Sequence, residues 1–258
     1  MINFVDSHCH LYYEPFVNNL NKTILESKKN YVSKFLSISV DYKTSKKNIE
    51  LSNKYNDIFC TIGIHPNNTD IAFDDFEQVK SLYKNNKNNI IGIGEAGIDL
   101  YRSKDNLFKQ IELFKNQIEL SIEKNIPLVI HSRAAENETI NVLERYKNSN
   151  LKFILHCFSG TELFAKKCLD LNGFLAFGGI LTFANSENLR KVCLKVPMDK
   201  ILLETDTPYL SPHPFRGKTN HPKNIKYIAE CLSDIKKIKL EEVAYITTRN
   251  FNNLFNLK

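Results

Sequence analysis

Eight apolar runs of strand length, each followed by a longer polar stretch with helical periodicity, predict an α/β protein. The class is a single-domain (β/α)8 TIM barrel over residues 1–258. Two further observations point the same way. The runs are near-continuous Ile, Val, Leu and Phe, the composition of strands buried on both faces. Their spacing of roughly 20 to 35 residues is the size of one strand-plus-helix unit. An open doubly wound sheet fits less well, because no Gly-x-Gly-x-x-Gly follows the first run.

In order, the runs are Ile2–Val5, Phe35–Val40, Ile58–Ile64, Ile90–Ile93, Pro127–Ile130, Phe153–Leu155, Phe174–Phe177 and Ile201–Leu203. The clearest helix follows the fourth, where Leu107, Ile111, Phe114, Ile118 and Ile122 recur at spacings of three and four. The other helical stretches are Glu14–Lys28, Tyr42–Tyr55, Phe76–Asn85, Ala135–Tyr146, Glu162–Leu171, Glu187–Val196, Pro222–Leu232 and Leu240–Leu257. No Pro- or Ser-rich linker or low-complexity segment divides the chain, so one domain is expected.

Composition narrows the class. With 35 basic and 29 acidic residues the formal charge is +6, which suits a polyanionic substrate without requiring one. Basic pairs such as Lys46-Lys47 and Lys236-Lys237 are scattered, as on solvated helix faces. Six cysteines without a Cys-x-x-Cys pair fit reduced thiols in a reducing compartment. The opening residues lack a secretory pattern, and the longest apolar stretch, Phe174 to Ala184, holds two glycines and is too short to cross a bilayer. A cytoplasmic protein with no membrane partner is expected.

The reactive residues gather where the runs end, the rim at which (β/α)8 enzymes place their sites. His8 and His10 follow the first run, His65 the third, Glu95 the fourth, His131 the fifth, His156 the sixth and Asp206 the eighth. His213 and His221 alone lie elsewhere. Strand alternation turns Asp6, His8 and His10 to one face, so two imidazoles can share a metal while the Asp6 carboxylate orients a ring. His8, His10, His131, His156, Glu95 and Asp206 are enough to hold two divalent ions, with Glu95 as the bridge. Nitrogen and oxygen donors without thiolate suit Zn²⁺, Mn²⁺ or Co²⁺, and Mg²⁺ at a carboxylate-rich position. The competing reading makes these histidines core residues bonded to backbone. Cys9 and Cys157 flank proposed ligands and read as packing residues.

With these residues in hand, the chain resembles the TatD family of metal-dependent hydrolases. The motifs are DSHCHL (Asp6–Leu11), GIHP (Gly63–Pro66), GEAGID (Gly94–Asp99), IPLVIHSR (Ile126–Arg133), LHCFSG (Leu155–Gly160), FGGILTF (Phe177–Phe183), LLETDTPYL (Leu202–Leu210) and PFRGKTNHP (Pro214–Pro222). The resemblance implies a (β/α)8 barrel with two divalent metal ions (Mg²⁺, Mn²⁺ or Zn²⁺). It also implies phosphodiester hydrolysis, as a deoxyribonuclease acting 3′ to 5′ on DNA ends and in some members on RNA. It assigns His8, His10, Glu95 and Asp206 to one ion and Glu95, His131 and His156 to the other. One position departs from the pattern: Ala134 follows His131-Ser132-Arg133 where many members carry an acidic residue.

Roles for the neighbours follow from charge and reach. Asp206 can bind metal and receive a proton from the attacking water, and Glu204 can orient a ligand from behind or be a buried strand-end carboxylate paired with Arg216 or a lysine. Arg133 and Arg216 can grip phosphate oxygens or be solvated surface residues or members of structural ion pairs, and His65 can bond a phosphate or support a ligand. Tyr209, Phe158 and Phe183 can stack a terminal base or simply pack. The alternative enzymatic reading is an ester or amide hydrolase such as a D-aminoacyl-tRNA deacylase. The alternative of another class is a non-catalytic, metal-stabilised binding protein. A monomer with nucleic acid as substrate is the expectation.

Overall fold

The computed structural model describes residues 2–102 and 104–257. Among them are the strands β1 (Phe4–Cys9), β2 (Val32–Ser37), β3 (Ile58–Ile62), β4 (Ile90–Asp99), β5 (Leu128–Arg133), β6 (Phe153–Leu155), β7 (Phe174–Phe177) and β8 (Ile201–Leu203). They belong to one sheet in chain order, β1 through β8. The alternating helices are α1 (Leu20–Lys28), α2 (Tyr42–Lys54), α3 (Ala72–Asn85), α4 (Leu107–Lys124), α5 (Glu136–Leu143), α6 (Glu162–Asp170), α7 (Glu187–Lys195), α8 (Ile225–Lys236) and α9 (Leu240–Leu254). This is the (β/α)8 class that the apolar runs predict. The chain divides into two compact units, the first Met1–Ser37, Cys157–Ala165 and Leu175–Lys258, the second Ile38–His156 and Lys166–Phe174.

In the first unit β1 pairs with β2 and β7 with β8, both parallel. The segment after β8 returns to β1: Cys9 bridges Thr207, and the Asp206 N–H donates to the His8 carbonyl at 2.9 Å. The end of the last strand therefore meets the end of the first, as closure of a barrel requires. Phe4, Phe35, Phe177 and Phe251 are buried in this unit. Lys34 interrupts β2, yet its ammonium reaches Asn252 Oδ1 at 2.8 Å, so the charge emerges while the strand stays in the ladder.

In the second unit β3, β4, β5 and β6 pair in parallel succession. Phe114, Phe153, Ile62 and Ile64 are buried here. The α2 helix starts on a capping box, in which Asp41 accepts from the Thr44 N–H at 2.7 Å and Thr44 Oγ1 accepts from the Asp41 N–H at 3.0 Å. The α4 helix stops at Asn125, whose φ of 52° is the left-handed cap that turns the chain toward β5.

Several boundaries differ from the apolar runs for identifiable reasons. β1, β4 and β5 run on through the reactive residues, because ladder pairing continues where the apolar pattern stops; Gly97 pairs with His131 and Asp99 with Arg133. β2 lies three residues earlier than its run, since Val32 pairs with Phe4. The first predicted helix is irregular at its start: Pro15 disfavours helical geometry at Glu14, Val17–Asn19 form a single 3-10 turn, and the α-helix begins at Leu20. The α4 face is also turned: Gln110, Leu113, Phe114, Gln117, Ile118, Leu120 and Ser121 are buried, whereas Leu107, Ile111 and Ile122 are half-buried.

Candidate metal centre

The second unit builds a carboxylate ringed by imidazoles. His131 Nδ1 and His156 Nε2 each stand 2.9 Å from Glu95 Oε1, and 3.3 Å from one another. His65 Nε2 stands 3.4 Å from the same oxygen. Burial would raise the Glu95 pKa, but His156 and His65 charge and hydrogen bonds from His131 and His156 outweigh it, holding the carboxyl well below its ordinary range. Donors bound ~2.0–2.2 Å from one divalent ion stand about 3.0–3.4 Å apart in tetrahedral or octahedral shells. The two nitrogens and one oxygen here are spaced close to that, so the donor set fits a metal.

His65, Glu95 and His131 also offer atoms within 4.8 Å of each other. Hydrogen bonding decides against His65 as a ligand. Its Nδ1 accepts the Asn67 N–H at 3.0 Å, so the ring proton is on Nε2, facing Glu95. A ligating nitrogen needs its lone pair free. His65 therefore donates to Glu95, and burial lowers its pKa against the opposing pull of the Glu95 carboxylate.

Sequence reasoning missed Asp99, which stands behind His131. Asp99 Oδ2 lies 3.2 Å from His131 Nε2 and accepts from Asn67 Nδ2 at 3.1 Å, while Oδ1 accepts the N–H groups of Tyr101 and Arg102, each at 3.0 Å. Burial would raise its pKa, but the hydrogen bonds from His131, Arg102 and Asn67 pull it below the ordinary value. This is the carboxylate–imidazole arrangement that fixes a ligand's tautomer and aims its other nitrogen. The signal was parity: Glu95, Gly97 and Asp99 share one face of β4.

Two buried glutamines of α4 hold this frame from outside. Gln117 clamps both backbone groups of Ile64, accepting from its N–H and donating to its carbonyl at 2.9 Å each. Gln110 does the same at Asp99, at 2.7 and 3.3 Å. The backbones before His65 and at Asp99 are thereby fixed to one helix. Gly97 lets β4 and β5 approach beside His131: its φ is 138°, and a Cβ there would collide with the His131 carbonyl oxygen.

The first unit carries the other donors. His8 Nε2 and His10 Nε2 face Asp206 Oδ1 at 3.7 and 3.5 Å, with the two rings edge-on at 5.1 Å. Asp206 has a φ of 56°, a left-handed turn that Asp tolerates better than most residues. Asp6 accepts from the Thr205 N–H and hydroxyl at 2.9 and 2.6 Å, and from the His8 N–H at 3.4 Å. Burial pushes its carboxyl up to about 8 against those hydrogen bonds. Glu204 is buried and accepts from the N–H of Cys157, the residue after His156, at 2.6 Å.

The proposed substrate-facing side chains are open to solvent. Arg133 and Arg216 are exposed, their guanidinium carbons 3.9 Å over Tyr101 and 4.4 Å over Phe183. Tyr209 is half exposed, its ring 6.1 Å from that of His10. Phe158 instead packs inside against Phe164 and Phe177. Burial pushes the thiols of Cys60, Cys168 and Cys193 up to about 12, so these stay protonated.

Residues 5–256 match the family described as TatD related DNase. The chain belongs to the TatD family. It is 36% identical over 253 residues to the "Uncharacterized metal-dependent hydrolase YabD" of Bacillus subtilis (strain 168), with 98% of each covered. It is 33% identical over 256 residues to the "Uncharacterized metal-dependent hydrolase YcfH" of Escherichia coli (strain K12), covering 98% of this chain and 96% of that one. The crystal structure of YJJV, a TatD homolog from Escherichia coli K12, superposes with a TM-score of 0.93 at 24% identity over 99% of this chain and 98% of its own. That likeness speaks for the fold alone. Membership places the chain among metal-dependent hydrolases, and both donor clusters fit divalent metal binding.

Proposed function

We propose that the chain cleaves phosphodiester bonds at DNA ends, removing nucleotides 3′ to 5′, with two divalent ions held by His8, His10, Glu95, His131, His156 and Asp206. The observation that carries this reading is the pair of imidazole nitrogens converging on Glu95 Oε1 at 2.9 Å each, with Asp99 behind one of them. The family description as DNase-related supports the choice of bond, as do two exposed arginines and a formal charge of +6. The ions would be Mg²⁺, Mn²⁺ or Zn²⁺.

When bound, the ions would supply acidified water and a polarised phosphoryl group. The chain's own side chains do the rest. Asp206 receives the proton of the attacking water. His65 donates its Nε2 proton toward Glu95 and keeps that carboxylate ionised, or passes the hydrogen bond to a phosphate oxygen. Asp99 holds the His131 tautomer, and Arg133 and Arg216 take non-bridging phosphate oxygens. Free thiols at all six cysteines support a reducing, cytoplasmic setting. Among the described residues no helix is long and apolar enough to cross a membrane, and we read the protein as a monomer.

The test is digestion of 3′-labelled single-stranded DNA after chelation and after return of each metal, beside an aminoacyl ester. Mononucleotide release that vanishes on chelation and returns with metal is expected. Cleavage of the aminoacyl ester with intact DNA would replace this reading with the deacylase one.

A further inference from the structure

Tyr101 has no part in the hydrolysis itself, yet it stands beside Arg133, one of the two arginines assigned to phosphate. Tyr101 is 69% exposed, yet its backbone is pinned, because its N–H donates to Asp99 Oδ1 at 3.0 Å. Arg133 is exposed, and its guanidinium carbon stands over the ring, 3.9 Å from the centroid. The strand ladder fixes the pair, since Asp99 and Arg133 are register partners and the Leu100 N–H donates to the Arg133 carbonyl at 2.9 Å. One carboxylate thus braces both the His131 ring through Oδ2 and the Tyr101 backbone through Oδ1.

An exposed tyrosine normally samples several rotamers, and ordering it on binding costs entropy. Here the stacked guanidinium and the pinned backbone meet that cost in advance. Most of the ring surface still faces solvent. Aromatic faces take bases of any identity by stacking, and a guanidinium offers a planar fork of donors that matches a phosphate. Both groups stand two residues beyond proposed centre residues, Tyr101 past Asp99 and Arg133 past His131.

We propose that Tyr101 and Arg133 are a nucleotide subsite, in which Tyr101 stacks an unpaired base and Arg133 takes its phosphate. This deepens the phosphodiester reading and rests on it. The subsite prefers single-stranded ends, whose bases are free to stack, over small diesters that carry none.

The chain contains no tryptophan, so Tyr101→Trp introduces a sole indole reporter. The metal-loaded variant is titrated with a phosphorothioate hexathymidylate and with an abasic chain of the same length and charge. Strong quenching by the first and at least five-fold weaker quenching by the second is expected; equal quenching by both, or none by either, overturns the subsite. In parallel, Tyr101→Ala is expected to raise KM for single-stranded DNA about ten-fold more than KM for bis(4-nitrophenyl) phosphate, with Tyr101→Phe restoring it. If wild-type protein cleaves both substrates and Tyr101→Ala shifts their KM values equally, this subsite fails and the phosphodiester reading stands. If wild-type protein cleaves neither, that reading fails, and the quenching titration still decides on the subsite.

Discussion

In the second unit two imidazole nitrogens stand 2.9 Å from one Glu95 oxygen, whereas in the first unit the pair facing Asp206 stands at 3.5 and 3.7 Å. The bracing differs as well. Around Glu95 the supports are side chains: Asp99 on His131, Thr61 Oγ1 on the Gly94 carbonyl at 2.6 Å, and the α4 glutamines on two backbones. Around Asp206 they are mainly backbone hydrogen bonds between β1 and the turn after β8, with Asp6 fastening Thr205. Burial would lower the His131 pKa, but its hydrogen bonds to Asp99 and Glu95 and the Glu95 charge outweigh that and raise it. The donors around Glu95 are thus the more closely set and the more heavily braced. The first metal equivalent should go to the second unit.

The largest expected effect comes from removing the tight cluster's anion. Glu95→Ala should cost about 10³-fold or more in kcat, with far-UV circular dichroism unchanged; retained turnover would move the chemistry away from this cluster. Next is Asp99→Asn, which keeps the Tyr101 and Arg102 contacts but sets an amide against His131 Nε2. A loss of about 10–100-fold in metal affinity, read by competition with a chelating dye, is expected. An unchanged affinity would mean that His131 needs no support.

Smaller effects separate frame from donors. Gln110→Leu leaves the backbone N–H and carbonyl of Asp99 without their α4 partner, a loss of about 2–4 kcal/mol of stability in urea unfolding; Gln117→Leu should match it at Ile64. The smallest change concerns acid lability in the first unit. Burial first, then Lys223, lowers the His221 pKa to about 4, against the pull of Glu26. The unfolded chain takes up this proton below pH ~6.5 and the folded chain only near 4, so stability falls as pH drops through that window. His221→Asn can keep the cap on the Lys223 N–H and should recover roughly 1–2 kcal/mol at pH 5. A thermal scan in which wild type and variant lose stability in parallel between pH 7 and 5 would place the lability elsewhere.

Legibility in the sequence followed the physics of each element. β6, β7 and β8 coincide with their apolar runs because they are almost wholly core, with only Phe174 half-buried. β1, β4 and β5 extend past theirs because a backbone ladder tolerates His, Glu and Asp where hydrophobicity does not predict them. The strand-end position of His65 was readable; its tautomer was not, since that depends on the Asn67 N–H. Gln110 and Gln117 escaped notice because a buried amide satisfied by a distant backbone reads, in one dimension, as a solvated position. Asp99 was within reach of strand parity, but its partnership with His131 exists only in the fold.

Metal content is the most direct test of the proposed two-ion reading. Native mass spectrometry of wild-type protein and of Glu95→Gln, each loaded with Zn²⁺ and desalted, should give two ions per chain for the first and one or none for the second. Metal-free wild-type protein after loading, or a variant that still holds two ions, would contradict it.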